Sequence, residues 1–165
     1  MAVKYAREAN DTEDEVEAEL KKQQFVEPIK THVAADKPFL GICLGLQLLM
    51  DVSYEDGSWD GLSIVPGKVV RFTERPELKV PHMGWNRILR KRRVPILAEI
   101  EDNAYFYFVH SYHVVPKDSN VIVTYTDYGK PFVSSIAKGN IFACQFHPEK
   151  SQTTGLKVLK AFGNI

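Results

Sequence analysis

The pattern of apolar and polar positions changes near residue 25. Before it, DTEDEVEAELKK offers only Val16 and Leu20 as an apolar stripe, with Thr12 and Glu15 spaced as a capping box and acids preceding lysines. This predicts a largely solvated acidic helix within residues 1–24. After it, FVEPIKTHVAADKP places Val26, Ile29 and Val33 on one helical side and stops at Pro38. PFLGICLGLQLLM then reads as a short buried strand, Phe39, Leu40 and Ile42, turning into a helix with Leu44, Gln47, Leu48 and Leu49 on one side. Beyond it, β-branched and aromatic runs bounded by Gly, Pro, Asp and Asn predict strands within 63–72, 79–88, 104–115 and 120–128. PFVSSIAKGNIFACQF predicts two more strands around a turn at Lys138-Gly139-Asn140, and Leu156, Leu159 and Phe162 predict a closing helix. The sum is an α/β domain over 25–165, a mixed sheet flanked by helices, preceded by the polar segment 1–24.

Composition narrows the function classes. The 165 residues, 44% hydrophobic and 25% charged, suffice for one packed core. Lys plus Arg and Asp plus Glu both number 21, so no excess of positive charge points to nucleic acid or an anionic membrane as partner. RKRR at 90–93 reads as a solvated loop. Two cysteines make no disulfide framework, MAVKYAREANDTEDEV lacks the apolar centre of a signal peptide, and no apolar run approaches the roughly 18 residues of a membrane span. A cytoplasmic, reduced protein is expected. No Cys, His and carboxylate set has metal-ligand spacing, so neither metal nor cofactor is expected.

Chemistry concentrates at two places. Cys43 lies between Gly41 and Gly45 at the strand-to-helix turn, where free amides of a first helical turn and the helix dipole favour thiolate. Taken alone, GICLG is more often the context of a small buried hydrophobe than of a nucleophile. The segment FACQFHPEKS supplies a base: His147 ends an apolar strand, and Glu149, across Pro148, is placed to orient its imidazole. A Cys43, His147, Glu149 triad is thereby possible, and a surface histidine after a strand is the alternative. Cys144 reads as a structural thiol, His82 and His110 as packing or hydrogen-bonding residues, and His32 and His113 as surface residues.

GICLGLQLL followed by HPEK about a hundred residues later resembles the class I (triad) glutamine amidotransferases. Within them, VPHMGWN (80–86), YFVHSY (107–112) and QFHPEKS (145–151) are similar to the glutaminase subunits of imidazole glycerol phosphate synthase, of histidine biosynthesis. The resemblance implies that Cys43 attacks the side-chain amide of glutamine, that His147 passes a proton to the leaving ammonia, and that Glu149 holds His147 in its productive tautomer. It implies further that Gln47 holds the amino-acid end of the substrate, that Ser111 and Tyr112 line the glutamine pocket, and that the Leu44 amide is an oxyanion donor. The implied partner is a (β/α)8-barrel cyclase on a separate polypeptide, to which ammonia is channelled. Trp85 is a candidate anchor for that partner, or else a half-buried core residue; Lys150 faces the barrel, or else solvent.

The front of the chain departs from this family. Members begin with apolar strands and a PGVG-type loop that supplies a second oxyanion amide. Here residues 1–24 are acidic, and Pro66-Gly67 lies downstream of Cys43 inside a strand-like run. The expectation is a sheet without its N-terminal strands. With it comes a second functional reading, a truncated module that binds the cyclase without hydrolysing glutamine.

Overall fold

A computed structural model describes residues 20, 22–76 and 78–165 together with the strand β1, Ala2–Val3. The fold is organised around β2, Phe39–Ile42, whose four residues are all buried. It has parallel partners on both sides, β1 and a late strand, Ile141–Cys144. A strand paired at both edges and covered on both faces has no solvated side, which is why FLGI carries no polar residue.

Between them lie the other strands. β3 (Val52–Ser53), β4 (Trp59–Asp60), β5 (Gly67–Arg71) and β9 (Tyr112–Pro116) form a small sheet in the order β4-β3-β5-β9. β6 (His82–Arg87) and β8 (Tyr105–His110) form an antiparallel ribbon. β7 (Leu89–Arg90), β10 (Ile122–Asp127), β11 (Pro131–Lys138) and β12 (Ile141–Cys144) complete the main sheet in the order β1-β2-β12-β11-β10-β7, antiparallel beyond β12. This is the mixed α/β architecture expected.

The period of two along β12 divides the core. Ile141 and Ala143 join Ile29, Leu44, Leu49, Met50 and Val69 on one side of the sheet. Phe142 and Cys144 join Leu40, Phe106, Phe108, Phe146 and Val158 on the other. Burial of each large side chain contributes about 1.5–3 kcal/mol. Helix α1, Val26–Ala34, buries Ile29 and packs Val26 and Val33 against the first cluster, as its spacing predicts.

Several expectations are corrected. The sheet is not without an N-terminal strand, because Ala2 and Val3 pair with Leu40 and Gly41; two residues are too few for a period-two pattern to register. The acidic helix with its Thr12 and Glu15 box lies outside the described residues, although Leu20 is described and is buried. The run 104–115 is two strands, broken at Ser111 so that β8 and β9 enter different sheets. In 63–72 only Gly67–Arg71 is extended. The helix after Cys43, α2, is the single turn Leu44–Gln47. In the closing helix α3, Gln152–Gly163, Gly155 and Val158 face inward while Leu156 is 60% exposed.

The orientation of α3 follows from Gly155, where an added Cβ would stand 1.8 Å from the Pro148 carbonyl oxygen. Gly→Ala in a helix ordinarily stabilises by about 1 kcal/mol. Here the sign reverses: Gly155→Ala is expected to lower stability by about 2–4 kcal/mol, read as a reduced urea midpoint.

Candidate active site

Cys43 has φ +52° and ψ −105°, a backbone conformation that costs a residue bearing a Cβ on the order of 1–3 kcal/mol. The surroundings enforce it. Cys43 N–H donates to the Cys144 carbonyl at 2.8 Å, and the Cys43 carbonyl accepts from Leu46 N–H at 3.0 Å. Gly41 permits the sharp turn: a Cβ there would meet the Gly45 oxygen at 2.6 Å and the Ala143 Cβ at 3.1 Å. The result is a sulfur held at the end of β2, beside the end of β12.

The same strand pairing brings His147 to this end of the sheet. Two residues beyond Gln145, which itself follows β12, His147 is tied to the ribbon by its N–H to the Tyr107 carbonyl, 2.9 Å. Ser151 closes the loop, donating its hydroxyl to the His147 carbonyl at 2.6 Å and accepting Tyr107 N–H at 2.9 Å. His147 Nδ1 donates to Glu149 Oε1 at 2.9 Å, which fixes the tautomer and turns Nε2 inward. Nε2 is buried and has no hydrogen bond of ordinary length, as catalytic pairs often lack before substrate binds. Burial alone would push the His147 imidazole down; hydrogen bonding and charge from the Cys43 sulfur and then the Glu149 carboxylate outweigh it, raising the group to about 9.

Of the predicted binding residues, Gln47 is linked to the surroundings of Cys43 through Gln145. Gln47, 3% exposed, donates its amide to the Tyr112 carbonyl at 3.0 Å and to Gln145 Oε1 at 3.2 Å. Leu44 opens α2, so its N–H belongs to a first helical turn and lies beside the nucleophile. Tyr112 is buried, and its hydroxyl donates to Asp56 Oδ1 at 3.4 Å; burial and the nearby Asp56 and Glu55 carboxylates raise it. Ser111 occupies the break between β8 and β9, its carbonyl accepting Phe72 N–H at 3.0 Å.

Trp85 and Lys150 stand outside. Trp85 is 47% exposed on the outer side of β6, edge-on to Tyr107 with ring centroids 6.2 Å apart, and Lys150 is exposed. Cys144 is buried, and desolvation drives its thiol far above the usual range, consistent with a structural role. His82 and His110 are buried and joined, Nδ1 to Nε2, at 3.0 Å. His113, expected at the surface, is half-buried, its ring tilted against Phe72 with centroids 4.9 Å apart. RKRR is less free than expected: Arg90 pairs with Asp102 at 2.9 Å and Arg92 donates to the Ala137 carbonyl at 2.6 Å. Among the described residues no group of three or more His, Cys, Asp or Glu could hold a metal.

Two residues were missed by reading the sequence. Gln145 Nε2 lies 3.5 Å from the Cys43 sulfur, yet in FACQF it looks like the polar side of a strand. Glu55, in the acidic turn YEDGSW, is only 4% exposed and acts electrostatically on Tyr112. Its sole sequence signal is an acid directly after the apolar VSY.

Cys43 at a strained turn, His147 beyond the adjacent strand end and Glu149 bonded to its Nδ1 gather a thiol, an imidazole and a carboxylate at one edge of the sheet. The chain belongs to the class I glutamine amidotransferases: the family described as "Glutamine amidotransferase class-I" matches residues 17–163. It is 53% identical over 146 residues to the "Imidazole glycerol phosphate synthase subunit HisH" of Syntrophotalea carbinolica, covering 86% of this chain and 71% of that protein. The subunit of the same name from Geobacter sulfurreducens is 53% identical (86% and 70% covered), and that of Aquifex aeolicus 50% identical (87% and 68%). Among solved structures, a glutamine amidotransferase of Thermotoga maritima superposes with TM-score 0.62 at 19% identity, over 94% of this chain and 60% of that one. Another glutamine amidotransferase gives TM-score 0.66 at 14% identity, over 93% and 76%. No described helix is long and apolar enough to cross a membrane.

The pH dependence follows from His147. As general acid it must carry a proton, which it holds up to about pH 9, so glutamate release is expected to fall as pH rises through that value. In Glu149→Gln the carboxylate that favours the imidazolium is gone; the alkaline limb of kcat/KM should move to lower pH, with a rate loss of about 10²–10⁴.

Proposed function

We propose that this chain is the glutaminase subunit of imidazole glycerol phosphate synthase, releasing ammonia from glutamine for a cyclase partner. The observation that carries the reading is the Cys43, His147, Glu149 arrangement in a chain about half identical to subunits bearing that name. The Cys43 sulfur attacks the side-chain carbonyl carbon of glutamine while the Leu44 amide receives the developing oxyanion. The tetrahedral intermediate collapses to a γ-glutamyl thioester as His147 protonates the departing ammonia. Water, deprotonated by the now neutral His147, attacks the thioester and expels the thiolate, giving glutamate. Gln47 and Tyr112 hold the amino-acid end of the substrate, and the buried Glu55 carboxylate suits its ammonium group.

The partner's docking face is the outer side of the ribbon. Met83, Trp85 and Tyr105 are 62%, 47% and 54% exposed there, and they share one face because alternate residues of β6 and β8 do so. Such an aromatic and methionine surface beside a site fits a protein interface. A (β/α)8-barrel cyclase is the partner this reading assigns, with Lys150 at the rim. The alternative of a docking module that hydrolyses nothing is not favoured, since the related subunits match across the triad-bearing domain.

Cys43→Ala is expected to abolish imidazole glycerol phosphate synthesis from glutamine while leaving synthesis from added ammonium intact with the cyclase present; loss of both activities would sink the assignment of Cys43 to the glutaminase step. Trp85→Ala should weaken cyclase binding by about 2 kcal/mol or more, roughly 30-fold in Kd by titration calorimetry, whereas a residue buried only against its own chain would lower the melting temperature instead.

A further inference from the structure

The geometry points to Gln145 as a further catalytic residue, its side-chain amide donating to the Cys43 sulfur and its carbonyl oxygen fastened by Gln47. This deepens the glutaminase reading and rests on Cys43 being its nucleophile. Gln145 is fully buried, its N–H bound to the Ser134 carbonyl at 2.9 Å, so it occupies the site without contact with solvent. It stands two residues before His147, and alternation at the end of β12 sends both side chains toward Cys43 while Phe146 between them packs on Phe106 at 4.2 Å.

The direction of the amide is fixed from outside. The Tyr112 carbonyl can only accept, so the Gln47 atom 3.0 Å away is its NH2 group. That same nitrogen lies 3.2 Å from one terminal atom of Gln145, which must therefore be the oxygen. The remaining terminal atom, the Gln145 nitrogen, then faces the Cys43 sulfur at 3.5 Å as a donor. Further along, His110 Nδ1–H donates to the same Tyr112 carbonyl at 2.7 Å, which leaves its Nε2 to accept from His82 Nδ1–H at 3.0 Å. His82 Nε2 in turn accepts from the Asn86 amide at 3.2 Å. Burial holds His82 and His110 neutral, so the tautomers persist and the chain of donors runs in one sense from Asn86 to Tyr112.

The chemistry this supplies is needed twice. An N–H donor stabilises sulfur when it is anionic, and the sulfur is anionic both as the attacking nucleophile and as the group expelled when water cleaves the thioester. His147 moves a proton in each step, to the departing ammonia in the first and from the attacking water in the second, so its charge beside the sulfur changes through the cycle. A donor that never transfers its proton stays in place throughout.

The test is the pH dependence of Cys43 alkylation by iodoacetamide, followed by mass spectrometry of the Cys43 peptide in the cyclase complex. Gln145→Met removes the donor with little change of volume; its midpoint is expected to rise by about 1 pH unit, with about a tenfold lower rate at neutral pH. Glutamate release should fall in kcat; the Gln47 amide left without its Gln145 acceptor also lowers the melting temperature, an effect that Gln145→Glu, which keeps that acceptor, separates from the change at the sulfur. Gln145→Glu keeps the oxygen for Gln47 and is expected to shift the midpoint upward as well. In the unaltered chain, the Gln145 side-chain NH2 resonances should move with the Cys43 titration and not in Cys43→Ser. A folded variant with an unshifted midpoint, or NH2 resonances indifferent to Cys43, overturns the proposal. Because alkylation needs no glutamine, it separates this result from failure of the glutaminase reading, which would appear as absent glutamate release by the unaltered chain.

Discussion

The pairing of β2 with β12 is the constraint on which the rest depends. Its register sets Ile42 opposite Cys144, so the chain leaves both strands at one edge of the sheet. On one side it turns through Cys43 at positive φ; on the other it continues to Gln145 and His147. The hydrogen bond from Cys43 N–H to the Cys144 carbonyl is the last rung of that ladder and also the restraint that holds the strained residue. Cys43 and His147 come from positions about a hundred residues apart, yet a single parallel ladder sets where both leave the sheet. Burial on both faces makes that ladder hard to open, which lets an unfavourable backbone conformation persist at its end.

The electrostatics of the site come from side chains more than from a helix. With α2 only one turn long, its macrodipole is small, and the positive environment of the sulfur must be built otherwise. The Glu149 carboxylate does this indirectly by sustaining the imidazolium of His147. Burial works in the opposite sense at His82 and His110, keeping them uncharged so that their hydrogen-bond polarity is constant. One residue type thus fills two roles in a small volume, and the presence or absence of an adjacent carboxylate decides which.

The pairing of His147 with Glu149 and the turn at Cys43 were legible in the sequence because their informative parts are local. Gly41 beside Cys43 signals a tight turn, and Pro148 between His147 and Glu149 sets their relation without reference to the rest of the chain. The buried strands were legible because an apolar run admits few other readings. What escaped depends on distant partners. Gln145 is an orphan polar residue in FACQF until Gln47 and Cys43, about a hundred positions earlier, are brought to it. Glu55 looks like one acid in a solvated turn until the small sheet folds Tyr112 over it. β1 is too short for periodicity, and the break at Ser111 hides in an unbroken β-forming run because the two sheets, not the residues, demand it. Leu156 misled for a related reason: the close contact at Gly155, not the apolar count, sets the rotation of α3.

The ribbon of β6 and β8 has two unlike faces. Its outer positions carry Met83, Trp85 and Tyr105 to solvent, and its inner positions carry His82, Phe106, Phe108 and His110 into the core. The backbone between them is shared. The Tyr107 carbonyl holds His147 N–H at 2.9 Å, and the Val109 carbonyl lies 3.9 Å from the Cys43 sulfur. In a period-two strand, a load applied to the outer side chains is borne by the same peptide units whose carbonyls touch the catalytic groups. A core packed this closely does not absorb such a displacement smoothly; it transmits it. A partner seated on the outer face would therefore act within one residue of the nucleophile's contact and of the base's anchor, with no rearrangement of the sheet required to reach them.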